Sequence, residues 1–210
     1  MPEHVRRDHA DPHGPGASAQ AVIGPNAALQ LAAAMTALSG LREAERLFER
    51  AGLSRWLSSP PGDMVPVSDV EHLYSVLYRD WPATAAALCA DAGRRTADYV
   101  IANRIPAFAR GLLRMLPAGL AAPLLARAVA RNAWTFTGTG RLKLHFGQPL
   151  TFVLEGHALA LAGCPWHRAV FCRLFRVLVS PQATVRHVPA VGPGGPGDLL
   201  IVAWSRPQNP

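Results

Sequence analysis

The chain has 210 residues, of which 50% are hydrophobic and 17% charged, and its net charge is +7. That composition supports one sizeable core and excludes a disordered, highly charged polymer. Lys143 is the only lysine among the basic residues, and between Arg94 and Arg176 only Asp98 and Glu155 are acidic, a field that attracts nucleic acid, acidic lipid or a small carboxylate.

Residues 1–20 are polar and rich in His, Pro and Asp, with no apolar segment of secretory type, so they read as a solvated tail. His4, His9 and His13 within it offer only adventitious metal binding. Residues 21–206 read as one domain. Pro25 opens an Ala/Leu-rich helix that Gly40 closes. A second helix over Leu41–Ala51 carries Glu43 and Glu45 ahead of Arg46 and Arg50, an arrangement for surface ion pairs. Residues 58–63 form a loop. Ser68-Asp69-Val70-Glu71 has the pattern of a capping box, so a helix is expected from there to about Arg79, broken at Trp81-Pro82.

The longest helix is expected over about Ala83–Asn103. Its small residues Ala85, Cys89, Ala92, Gly93 and Thr96 recur at helical spacing, a face suited to close helix packing or to a flat ligand. Pro106, Pro117 and Pro123 punctuate two further helical segments ending near Trp134. After Gly140 the period becomes two: Arg141–Phe146 and Leu150–Leu154 form a hairpin around Gly147-Gln148-Pro149. Trp166–Val179 is helical. Thr184–Val191 and Leu199–Trp204 are two more strands, joined by a loop over residues 192–198. The fold class is therefore α+β: N-terminal helices followed by a β-β-α-β-β antiparallel sheet unit.

Several chemistries are excluded by context. The glycine-rich run 192–197 joins two strands, whereas a phosphate-cradling loop opens a helix, and its prolines remove amide donors. No nicotinamide or flavin site is visible. Cys89, Cys164 and Cys172 are too few for an iron–sulfur cluster and too scattered for a disulfide framework, and they fit a reducing cytosol. No uncharged run of 18 apolar residues exists, so no membrane-crossing helix is expected and the location reads as cytoplasmic. Nucleic acid is disfavoured, since no helix-turn-helix, zinc finger or base-stacking strand pattern is present.

Two clusters remain. Cys164-Pro165-Trp166-His167 with Cys172 is the best metal candidate by spacing. On a helix, however, Trp166, His167, Val170, Phe171, Leu174, Val177 and Leu178 share an apolar arc, while Cys172 falls among Arg168, Arg173 and Arg176. Cys172 and His167 should therefore not share a metal. His167 is either a satisfied core residue or an axial ligand facing an apolar pocket. In Asp91-Ala92-Gly93-Arg94-Arg95-Thr96-Ala97-Asp98-Tyr99, the pairs Arg94–Asp98 and Asp91–Arg95 have i,i+4 spacing, each worth about 0.3–0.5 kcal/mol as a surface bridge.

That last segment, with Ile23-Gly24-Pro25-Asn26-Ala27, Pro60-Pro61-Gly62-Asp63-Met64-Val65-Pro66, Asn132-Ala133-Trp134-Thr135-Phe136 and Trp166-His167-Arg168-Ala169-Val170-Phe171, resembles the bacteriochlorophyll 4-vinyl reductase family of purple photosynthetic bacteria. The similarity spans about residues 21–204. It implies a vinyl-4-reductase-type ligand-binding domain and a divinyl protochlorophyllide-type tetrapyrrole as ligand or substrate, with no other cofactor evident. Such a pigment is flat and apolar and carries propionates. The resemblance then implies a slot lined by Trp134, Trp166 and His167, with Arg94, Arg95 and Tyr99 at the polar end. Three roles are open: a pigment carrier, a true reductase with an external electron donor, or a ligand-sensing or scaffold module. Implied partners are other bacteriochlorophyll-pathway enzymes; the basic field leaves room for a peripheral membrane contact, and an exposed strand edge and hydrophobic helices for a second copy of the chain. Many members of the wider domain family hold a metal through Cys residues around the last hairpin. This chain has none there, so no structural zinc is carried over.

Overall fold

The computed structural model describes residues 21–147, 149–192 and 195–204. The polar tail with its three histidines lies outside the described residues, as does the centre of the glycine-rich run. The helical half begins where the proline signals place it. Helix α1 (Asn26–Ser39) follows Pro25 and ends at Gly40, whose φ of 92° only glycine adopts readily. It buries Ala27, Leu31, Ala34 and Met35, one stripe at helical spacing. Helix α2 (Leu41–Arg50) buries Ala44, Leu47 and Phe48, and the turn α3 (Arg55–Ser58) buries Trp56.

The surface pairs of α2 are only partly those expected. Glu43 does meet Arg46 at 3.1 Å, but Arg50 reaches across to Asp80 at 2.7 Å. A two-stranded ribbon, β1 (Val22–Ile23) against β2 (Val65–Pro66), has no sequence signal because two residues cannot display a period. The ribbon corrects the expected capping box. Helix α4 (Val67–Asp80) starts one residue before Ser68 and has no side-chain cap. The amide of Val67 instead donates to the carbonyl of Ala21 at 2.9 Å, so neighbouring backbone satisfies it.

Helix α5 (Pro82–Asn103) lies against helix α9 (Pro165–Leu178) and α1 through its small face. The contact with α9 is closest at Gly93, where a Cβ would stand 2.4 Å from the Trp166 carbonyl oxygen. Of the two uses open to this face, close helix packing is the one observed. Helices α6 (Ala107–Met115) and α7 (Ala118–Arg131) and the turn α8 (Trp134–Thr137) follow. Pro123 lies inside α7 rather than ending it.

Strands β3 (Arg141–His145), β4 (Leu150–Glu155), β5 (Thr184–Gly192) and β6 (Gly195–Ala203) form an antiparallel sheet in the order β3-β4-β6-β5, with α9 between the two hairpins in sequence. The helices-then-ββαββ expectation matches this order. Its loop over residues 192–198 does not, because pairing runs on through Ala190–Gly197 to Gly192–Gly195. Gly197 serves close approach rather than a turn: a Cβ there would meet the Leu154 carbonyl at 2.7 Å. The register places Phe152 and Leu154 of β4 and Leu200 and Val202 of β6 on the buried face. There Phe152 packs on Phe171 and Phe175 of α9, with ring centroids 4.7 and 6.1 Å apart. No described helix is long and apolar enough to cross a membrane.

Candidate functional site

The N-terminal end of α9 enters the buried face of the sheet next to the loop that leaves β4. That loop is tightly wound: Leu159 (φ 59°) and Cys164 (φ 46°) occupy left-handed backbone, as do Gly156 and Gly163. A non-glycine residue there costs on the order of 1 kcal/mol, which the surrounding packing must offset. The result is to aim the Cys164 thiol into the protein, 3.5 Å from Nδ1 of His167.

Asp198, on the buried face of β6, is the hub. His157 Nε2 donates to its Oδ2 at 2.7 Å, and His187 of β5 donates to its Oδ1. The other nitrogen of His157 lies 2.8 Å from the Ala158 carbonyl oxygen, so both ring nitrogens face oxygen atoms. Burial alone would raise the Asp198 carboxyl, but the bonds from His187 and His157 outweigh it and hold its pKa below the ordinary value.

His167 is the opposite case. It is fully buried, with its ring edge-on to those of His157 and Trp166 at centroid distances of 4.7 and 4.8 Å. Burial, reinforced by His157, drives its pKa down to about 3, so it is neutral. Its Nε2 faces the Phe136 carbonyl at 3.4 Å, which makes Nδ1 the acceptor for the Cys164 thiol. Burial likewise pushes that thiol up to about 12, keeping its proton in place. Both nitrogens of His167 therefore have partners, and metal ligation by this ring would have to displace one of them.

The donor atoms of His157, Cys164 and Asp198 lie within 4.8 Å of one another. One nitrogen, one sulfur and one oxygen make a set that suits zinc. A divalent ion there would displace the thiol proton and the proton shared by His157 and Asp198. Reading the last hairpin for cysteines missed this set, because its ligands come from a loop, a helix cap and an Asp on β6. The usable signal was Cys164 itself. Cys172 stays apart from it, with its sulfur 4.0 Å from the Ala183 carbonyl.

The other residues expected at the site divide between two regions. Trp166 and His167 sit together in the core, and the indole Nε1–H of Trp166 is buried with no partner among the described residues. Trp134 is 60% exposed, two residues along α8 from Phe136, whose ring tilts over His167 at 6.0 Å. Arg94, Arg95 and Tyr99 lie on α5. Arg94 does not pair with Asp98 as its spacing suggested; Arg94 and Arg95 both grip Asp91, at 2.9 and 2.7 Å. Asp98 is drawn instead to Arg173 of α9, at 2.8 Å, because the two helices lie side by side. A trough of about 410 Å³ over Thr184, Arg186, Ile201 and Trp204 is open to solvent, and none of the cluster's residues lines it. The buried cluster is the better candidate, since there a His, a Cys and an Asp bring metal-ligating atoms together beside a second buried His.

His167 makes acid a specific stress. In the unfolded chain its pKa returns to about 6.5, so the unfolded state takes up the proton first as pH falls. Its contribution to stability is complete above 6.5 and is lost progressively toward the folded value of about 3. Between pH 6.5 and 5 the loss amounts to about 2 kcal/mol. Metal-free wild type and His167→Gln, melted at a series of pH values, should diverge in slope below pH 6.5, the variant being flatter. Parallel curves would contradict this account.

The comparisons with known proteins bear on the whole chain. It is 41% identical over 180 residues to the bacteriochlorophyll synthase 23 kDa chain of Cereibacter sphaeroides, covering 83% of this chain and 86% of that one. This chain belongs to the bacteriochlorophyll synthase 23 kDa chain family. The Rhodobacter capsulatus member is 38% identical over 185 residues, covering 86% and 85% of the two chains. These members of the 23 kDa family are named for the synthase, not for the vinyl reductase that the sequence resemblance implied. No family model matches the sequence. Among solved structures, the Fe(II) unliganded H-NOX protein from K. algicida superposes with a TM-score of 0.57 at 10% identity, over 89% of this chain and 99% of that one. An H-NOX structure from work on heme distortion gives 0.55 at 8% identity, over 90% and 98%. This chain thus has structural neighbours in the H-NOX fold.

Proposed function

We propose that this chain binds a divinyl protochlorophyllide-type tetrapyrrole and presents it to the enzymes of bacteriochlorophyll synthesis. Membership of the synthase 23 kDa chain family over most of the chain carries this reading. The fold supports it, since one of the H-NOX neighbours is described through its heme, also a tetrapyrrole. Within the chain, the unpartnered Trp166 indole N–H supports it too. A buried donor without an acceptor costs about 1–3 kcal/mol, and a pigment oxygen would satisfy it. Phe136 and Trp134 on α8 would supply aromatic surface, and Arg94 or Arg95, released from Asp91, would take a propionate near Tyr99.

The finer reading is reduction of the 4-vinyl group (8-vinyl in newer numbering) to ethyl, which needs two electrons and two protons from a donor outside this chain. An anaerobic titration of the purified protein with divinyl protochlorophyllide, before and after NADPH, separates the roles. A saturable absorbance shift without conversion is expected, with affinity reduced several-fold in Trp166→Phe. Conversion to the monovinyl pigment would make it a reductase. The absence of any shift would sink pigment binding.

A further inference from the structure

Helix α6 is unusual in burying none of its residues. Phe108, Leu112 and Met115 fall at i, i+4 and i+7, so they project from one side, and Phe108 and Met115 are 77% and 85% exposed. Leu120 and Leu124 form a similar exposed pair on α7, which packs against α6. Scattered exposed apolar residues are ordinary; five large ones on consecutive helices are not.

The charges on the same hairpin have one sign. Between Asp98 and Glu155 the sequence contains no acidic residue, yet it carries Arg104, Arg110, Arg114, Arg127 and Arg131 on or beside these two helices. None of the five takes part in an ion pair among the described residues. Arg110 and Arg114 tie the hairpin down by donating to the carbonyls of Ile101 and Val177, at 2.7 and 3.2 Å, and Arg127 lies over the Phe146 ring. Arg104 and Arg131 are exposed.

We infer that the α6–α7 hairpin is a docking surface for an anionic phospholipid bilayer. Apolar side chains projecting among arginines match the two layers of such a surface. Phe, Leu and Met enter the acyl boundary while guanidinium groups meet the phosphates. A second copy fits poorly, because a two-fold interface would set this one-signed arginine cluster against its own image. The inference is independent of the pigment reading, and its test uses pigment-free protein.

The full chain is sedimented with vesicles of phosphatidylglycerol and phosphatidylcholine, and with phosphatidylcholine alone. Binding that requires phosphatidylglycerol and weakens with salt is expected. Phe108→Glu/Met115→Glu and, separately, Arg104→Glu/Arg131→Glu should each lower partitioning by about tenfold or more, taking roughly 1 kcal/mol per basic residue near the surface. Their far-ultraviolet spectra and melting temperatures should stay at wild-type values, since these side chains are exposed. No sedimentation, equal binding to both vesicle types, or unaltered binding by both variants would overturn the inference. So would a wild-type dimer, measured by light scattering, that the Phe108/Met115 variant dissociates while neither protein sediments with vesicles. That result would make the hairpin a chain–chain interface.

Discussion

Replacing Asp198 by alanine is expected to lower the melting temperature by about 10 °C, from a loss of roughly 3 kcal/mol. The size follows from what the carboxylate holds. Two histidines, His157 and His187, direct ring nitrogens at its two oxygens, and both rings are largely buried. Alanine would leave two largely buried ring nitrogens without the acceptor that the carboxylate supplies, the situation in which desolvation is no longer compensated. Asp198→Asn, which keeps one acceptor, should fall between the two. The same substitution reads out the metal question. Zinc added to metal-free wild type should raise its melting temperature, and the rise should vanish in Asp198→Ala and in Cys164→Ser. An Asp198→Ala protein melting within a degree or two of wild type would show that the carboxylate is not the hub described here.

Gly93→Val should be at least as damaging, at about 3 kcal/mol or more, or fail to accumulate as folded protein. At this position the obstacle is backbone, which cannot swing aside as a flexible side chain can. A first Cβ would already stand 2.4 Å from the Trp166 carbonyl oxygen and 3.0 Å from the Ala169 Cβ. The helices α5 and α9 would have to separate, opening the contact beside Trp166, His167 and Cys164. Thermal melting followed by circular dichroism tests this directly, and Gly93→Ala should lie between wild type and Val. A wild-type melting temperature in Gly93→Val would mean that the two helices do not meet so closely.

Local patterns were legible wherever one residue or one short period decides the conformation. Pro25 and Gly40 bound α1, Trp81-Pro82 separates α4 from α5, and the alternation of residues 141–154 is a hairpin. The apolar arc of Trp166, Val170, Phe171 and Leu174 is the buried face of α9. Ser68 misled because α4 starts one residue earlier, at Val67, whose amide is held by the Ala21 carbonyl 46 residues away in sequence, so Ser68 lies inside the first turn and not at the cap. Gly197 misled for a related reason, since glycine marks a loop and a close backbone approach equally well in one dimension.

The candidate site divides along the same line. From sequence, His167 could be placed on an apolar face and Cys172 kept apart from it, because both statements need only the helical period. His157, Asp198 and His187 could not be joined to Cys164, for they lie on a loop and two strands whose proximity depends on β6 pairing between β4 and β5. Spacing likewise matched Arg94 to Asp98, but the packing of α5 on α9 gave Asp98 to Arg173. Sequence alone determined where the long helices and the two hairpins lie, which faces are apolar and where the positive charge is concentrated, since those properties repeat within a few residues. The tertiary structure decided which polar groups meet, which histidine is neutral and which apolar residues stay exposed, because desolvation and hydrogen bonding depend on distances that only packing sets.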